Sequence, residues 1–151
     1  MKSKIIIFII VLLVIFQFFG EKTPYQEPTS ADLFAVENAP EEVKLLIQKN
    51  CYDCHSNQVN YPWYSNVAPV SWWLQSHIDE AREHLNFSNW ADYKADKKAH
   101  KMEEAWEEVE EEEMPLPSYT YVHWEANLSE AEKEILIDWF KEIEGKYKKS
   151  S

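Results

Sequence analysis

Only two glycines, Gly20 and Gly145, occur in the 151-residue chain, and this scarcity narrows its possible folds more than any other feature. Tight turns, sheet corners and glycine-rich phosphate loops all draw on glycine's freedom at positive φ. A chain with so few has little means of building a sheet protein or a dinucleotide site. No run of alternating apolar and polar residues reads as a strand, and no internal repeat is present. The expected class is all-α. With 45% hydrophobic and 15% aromatic residues, the chain can support one compact core and hardly two.

Helical patterning sets the order of elements. Pro40 suits a first turn, Glu41 and Glu42 suit its positive end, and Val43, Leu46, Ile47 and Asn50 recur at helical spacing. From His55 to Val67 the chain is polar and aromatic, with Asn57, Asn60, Pro62 and Asn66 predicting a loop. A second helix starts near Pro69, with Val70, Trp73, Leu74, His77, Ile78, Ala81 and Leu85 on one stripe. Ser88 is placed to cap a third helix carrying Trp90 and Tyr93, continuing or resuming through Met102, Ala105, Trp106 and Val109. Pro115 and Pro117 end it. Leu116 to Asn127 reads as an extended crossing, and Ser129 with Glu132 forms a capping box before Ile135, Leu136, Trp139, Phe140 and Ile143. Met102 and most of Trp63, Trp72, Trp73, Trp90, Trp106 and Trp139 are expected in the core.

The N-terminus stands apart. Lys2 and Lys4 precede an apolar run from Ile5 to Phe16 that Phe18 and Phe19 extend. This is the pattern of an export signal, somewhat shorter than the roughly 20 apolar residues of a full span. No small-x-small triplet precedes Gly20, so residues 1–20 are either a cleaved signal peptide or a membrane anchor acting through residues 5–19. Residues 21–38, with Pro24, Pro28 and Ser30, read as a tether, and 39–147 as the domain. The expected location is outside the cytoplasm, in the periplasm or anchored facing it.

Without residues 1–20, which hold two of the 15 basic residues and none of the 27 acidic ones, the formal charge moves from −12 to −14. Such a field repels nucleic acid and favours partners with basic docking patches. Acidity also serves solubility alone. The glutamates at 103, 104, 107, 108 and 110–113 form a block read either as a solvated helix face or as part of a docking patch.

Cys51-Tyr52-Asp53-Cys54-His55 is the pattern that carries chemistry. Two thiols separated by two residues in a helical turn are expected to point to the same side, where they can add to the two vinyl groups of one porphyrin, and the adjacent imidazole is carried to the iron as proximal ligand. These are the chain's only cysteines. Three rivals remain: a disulfide, a redox dithiol and a zinc site. A thioredoxin-like motif needs a βαβ setting that the helical pattern denies, and no second closely spaced ligand pair suggests zinc. For the iron's other face Met114 is the leading residue, since Pro115 and Pro117 break the helix and hold the chain so that a thioether can reach inward. The alternative for Met114 is a gap-filling core role. His77 is the alternative ligand, while His84, His100 and His123 are read as surface residues.

At this point several stretches together resemble one family. They are Cys51-Tyr-Asp-Cys-His-Ser56, Tyr61-Pro-Trp-Tyr-Ser65, Val67-Ala-Pro-Val-Ser-Trp-Trp73, His77-Ile-Asp-Glu80, Leu85-Asn-Phe-Ser88 and Met114-Pro-Leu-Pro-Ser-Tyr119. The likeness, over roughly 34–145, is to the haem-binding domain family of small bacterial c-type cytochromes. It implies a cytochrome-c-like helical fold, one covalent haem c at Cys51 and Cys54, His55 as axial ligand and Met114 as the second. His123-Trp124 departs from the expected His-Pro. The resulting expectation is a mono-haem carrier of single electrons, not an enzyme, with redox proteins as partners. The alternative is a haem enzyme or gas or redox sensor with an open distal position and peroxidase-like activity.

Overall fold

The computed structural model describes residues 2–150. Eight α-helices follow in order: α1 Lys2–Phe16, α2 Leu33–Val36, α3 Glu41–Asn50, α4 Tyr52–His55, α5 Val70–His84, α6 Ala95–Glu110, α7 Pro117–Thr120 and α8 Glu130–Lys148. Short 3₁₀ turns at Trp63–Asn66, Phe87–Asp92 and Trp124–Ala126 link them, and no strand occurs among the described residues.

The core lies where α3, α6 and α8 meet, and α6 against α8 is the most extensive helix contact. Each contributes a stripe at helical spacing: Val43, Leu46, Ile47 and Asn50 from α3, and Leu136, Trp139, Phe140 and Ile143 from α8, all buried. Met102, fully buried on α6, takes the core role its stripe predicts. The Ser129 hydroxyl accepts from the Glu132 backbone while the Glu132 carboxylate accepts from that of Ser129, forming the capping box that opens α8. The acidic face of α6 meets lysines of α8: Lys148 pairs with Glu103 at 3.2 Å and Lys141 with Glu110 at 3.5 Å.

Four local expectations are corrected. Leu116 to Asn127 is not extended, because Pro117 presets the first residue of α7 and a 3₁₀ turn follows. Asn86, not Ser88, does the capping: its Oδ1 accepts from Ser88 N at 3.0 Å and opens a 3₁₀ turn, so α6 begins only at Ala95. The loop after His55 contains the 3₁₀ turn Trp63–Asn66. Trp90 and Trp139 are buried as expected, but Trp63 is 80% exposed and Trp72 and Trp73 also face solvent.

Ordered core begins ahead of Ala39. Asp32 caps α2 through Phe34 N at 3.1 Å, and Leu33 is wholly buried. Glu37, also buried, accepts from Trp90 Nε1 at 2.9 Å and Lys146 Nζ at 2.5 Å, and from the Tyr147 hydroxyl. Burial alone would raise the Glu37 pKa, but these donors outweigh it and hold the carboxyl below its ordinary range.

Candidate functional site

Cys51 is where α3 ends and α4 begins. Its N–H still donates to Ile47 O at 2.9 Å, while φ −122° breaks the helix and turns the single turn Tyr52–His55 against α5. That turn is held on every side. The buried Tyr52 ring stacks between Phe34, at 5.3 Å, and Phe87, at 5.5 Å, and its hydroxyl donates to Asp32 at 2.9 Å. Arg82 of α5 donates twice to Ser56 O, at 2.9 and 2.6 Å, which fixes the turn's far end.

His55 follows from this frame. Its Nδ1 lies 3.0 Å from Leu85 O, and with Nδ1 as the donor the other ring nitrogen, Nε2, is left as the acceptor. Burial pushes the imidazole pKa below its ordinary value despite this backbone contact, so the ring is neutral at neutral pH. A neutral imidazole whose second nitrogen is tied to a backbone carbonyl is the form in which histidine ligates metal.

His55 and Cys51 line a cavity of about 440 Å³. Phe87 and Asn50 complete that wall; Ala81, Leu85, His77 and His84 come from the α5 side; Ala105, Val109, Lys101 and Glu104 from α6; and Met114, Pro115 and Leu116 close it with Phe140 of α8. The size lies within the range of sites that bury a sizeable organic ligand. Asn50 Oδ1, in this lining, is buried without a hydrogen-bond partner although Nδ2 donates to Leu46 O at 2.8 Å.

Met114 reaches the cavity through the end of α6. Glu112 adopts φ 62°, which reverses the chain, and Glu113 N and Met114 N then both donate to Glu108 O at 3.0 Å. The structure therefore brings Cys51, His55 and Met114 around one space, although Met114 lies 63 positions after Cys51 in the sequence. His77 also lines it, with its Nδ1 2.8 Å from Trp73 O and its ring packed on Trp73.

Cys54 differs. It faces a second pocket of about 20 Å³ beside Tyr64, Leu74, Tyr119 and His123. The helical period accounts for this: advancing three residues from Cys51 turns about 60° one way and four residues about 40° the other, so Cys54 and His55 diverge. Burial, then the neighbouring Cys54, pushes the Cys51 thiol up to about 12; burial, then Asp53, pushes Cys54 up to about 11. Both are therefore protonated thiols, unlike the low-pKa cysteines of redox dithiols. Among the described residues no group of three or more His, Cys, Asp or Glu is placed to hold a metal ion.

A protein-family model described as "haem-binding domain" matches residues 9–142. The chain belongs to the haem-binding domain family. Comparison with curated proteins and with solved structures finds no match. Cys51, a neutral imidazole and a thioether around one large cavity fit this family's cofactor, while Cys54 lies on the neighbouring pocket.

Three features of this haem-binding domain escape sequence reasoning. Lys101 and Glu104 line the cavity and pair at 3.0 Å, yet in the sequence they are two charges in a charged helix. His84 lines the cavity, and His123, read as a surface residue, bonds Tyr64 at 2.7 Å and stacks on Tyr119. Phe87, which packs on His55, is marked in the sequence only by the Leu85-Asn-Phe-Ser88 stretch.

Proposed function

We propose that the protein is a mono-haem c-type cytochrome that carries single electrons outside the cytoplasm. The observation that carries this reading is the convergence of Cys51, His55 and Met114 on one cavity. Cys51 would hold the porphyrin by a thioether from the cavity wall, Cys54 would form the second once its side chain turns from the smaller pocket, His55 would be the proximal ligand and Met114 the distal one. The group supplies a metal that passes between ferric and ferrous states. His55 is oriented by Leu85 O, while Phe87, Leu85 and Val109 give its surroundings an apolar lining that lowers the local dielectric, which tunes a redox centre. Redox proteins with basic docking patches are the expected partners, because the acidic α6 face borders the cavity at Glu104 and Glu108. Export, with α1 inserted in the membrane, accords with the Lys2, Lys4 and Ile5–Phe16 pattern.

Intact mass of the matured chain tests this directly. The expected result is one haem per chain that survives denaturation, lost when Cys51 and Cys54 are both replaced by alanine. The bare polypeptide mass in correctly matured material would overturn the reading. Carbon monoxide separates a carrier from a protein with an open distal face. Inertness of the reduced protein is expected, and rapid uptake would assign it to gas binding or peroxidase-like chemistry.

A further inference from the structure

Residues 56–78 contain no Asp, Glu, Lys or Arg, in a chain where such residues make up 28%. They hold Trp63, Trp72 and Trp73 instead, and these are exposed together with Val67 and Val70. Val70 and Trp73 lie three residues apart on the first turn of α5 and so share one side of it, and Val67 stands just ahead of that turn. A protein this acidic has no shortage of charge to cover an outer face, so an exposed aromatic stretch with no charged residue of its own requires another explanation.

The second observation is the chain that leads to this face. Helix α1 is apolar on all sides, and Ile5 to Phe16 are exposed almost throughout, Ile7 by 60%. A helix of that kind is stable only in an apolar surrounding. Its foot is built onto the same face. The Phe16 ring meets Trp72 edge-on at 5.5 Å, and Trp72 Nε1 donates to Phe19 O. The Gln17 amide pairs with the Ala68 backbone, accepting from N at 2.9 Å and donating to O at 3.3 Å. A Cβ at Gly20 would lie 3.1 Å from Trp72 Nε1, a tight contact that glycine avoids. Lys22 then donates to Ser65 at 2.8 Å and Asn66 at 2.6 Å. The segment after α1 is thus fastened to residues 61–75 rather than trailing from them.

We infer that the face formed by Trp63, Val67, Val70 and Trp73 lies in the headgroup region of a lipid bilayer, beside the immersed α1, so that the domain sits on the membrane in one fixed orientation. Tryptophan is favoured at this depth because its ring is apolar and its N–H polar, and charge is disfavoured there. No described helix is long and apolar enough to cross a membrane. The 15 residues of α1 extend about 22 Å against about 30 Å of hydrocarbon, and seating the aromatic face in the interface brings the foot of α1 down to that depth. One consequence concerns the cavity. Trp73 packs on His77, a cavity-lining residue one turn further along α5, so the same docking sets the cavity's His77 edge close to the lipid surface.

The test uses the full haem-loaded chain in phosphatidylcholine nanodiscs that include a phosphatidylcholine with a photoreactive group near the glycerol, with adducts mapped by mass spectrometry. Adducts are expected on 62–73 as well as on 5–19. Replacing Trp63 and Val70 by glutamate should lower labelling of 62–73 by about tenfold or more, given the cost of charge in the membrane, while labelling of 5–16 persists. Both positions are exposed, and an acid at Val70 suits the first turn of α5, so circular dichroism and the haem spectrum should be unchanged. Adducts confined to 5–19, or labelling of 62–73 indifferent to the two glutamates, would overturn the inference and leave the haem assignment untouched. Bare polypeptide mass would sink the haem assignment without bearing on the face.

Discussion

The cavity wall that carries Cys51 and His55 is held by buried side chains on every side, whereas the wall that carries Met114 hangs from the reversed end of a helix. Behind His55 stand Phe87, Tyr52 and Phe34 in a stacked series, and behind Phe87 the same 3₁₀ turn carries Trp90 to the buried Glu37. Behind Met114 there is one shared acceptor, Glu108 O, and a residue at positive φ. The contrast suits the roles proposed for the two sides. A proximal ligand must hold one tautomer and one orientation, while a thioether needs only to reach the metal and can be supplied by a less braced segment.

Removing the brace of the first wall should have the largest effect. Phe87 is 2% exposed and touches both Tyr52 and His55, so Phe87→Ala should cost about 4 kcal/mol in urea unfolding, from lost burial plus a cavity that stacked rings cannot close. A cost below about 1 kcal/mol would mean that this wall is no stiffer than the other. Glu37→Ala should follow at about 3 kcal/mol, because it removes the buried acceptor shared by the indole N–H of Trp90, the Lys146 ammonium and the Tyr147 hydroxyl. Its charge gives a pH signature. The folded pKa of Glu37 is depressed, so the folded state binds fewer protons; the contribution is complete above the unfolded value near 4.5 and is lost as pH falls through the folded one. Glu37→Gln should flatten that acid limb, and an unchanged limb would show that the carboxylate is not the brace.

The same contrast governs how much could be read from the sequence. The stripes of α3 and α8, the Ser129 capping box, the core place of Met102 and the Cys51-to-His55 pattern are local, and each is legible from spacing alone. The brace is not. Glu37 meets Trp90, Lys146 and Tyr147 from positions far apart in the chain, and no local pattern marks Asp32–Glu37 as core. The expectation that most tryptophans lie inside misses Trp63, Trp72 and Trp73, because an apolar residue type records that a surface needs cover, without saying whether protein or something else provides it. The acidic run of α6 hid Lys101 and Glu104 in the same way, since a helix of charges does not show which of them turns toward a cavity.

Met114→Ala probes the second wall. The side chain is only partly buried against the core, so about 1–2 kcal/mol of stability should be lost, well below Phe87→Ala. Spectroscopy should respond more than stability: the methionine-to-iron charge-transfer band of the ferric protein should vanish, and the reduced protein should take up carbon monoxide. Met102→Ala, on a fully buried side chain, should destabilise the fold yet keep the band. The reverse pattern would exchange the roles of the two methionines.

The smallest effect is expected at Glu112, where the second wall turns. A side chain at φ 62° is strained, and glycine would adopt that conformation without strain, but glycine also gives the unfolded chain more freedom to lose. The contact with Lys133 is exposed, and its loss adds little. These contributions offset, so Glu112→Gly should move Tm by less than about 3 °C. Because glycine keeps the reversal, Glu113 N and Met114 N still reach Glu108 O and the methionine band should persist. Loss of the band with Tm unchanged would show that the Glu112 carboxylate, through Lys133 of α8, aims Met114. The second wall would then be braced by side chains after all, and the contrast between the two would fail.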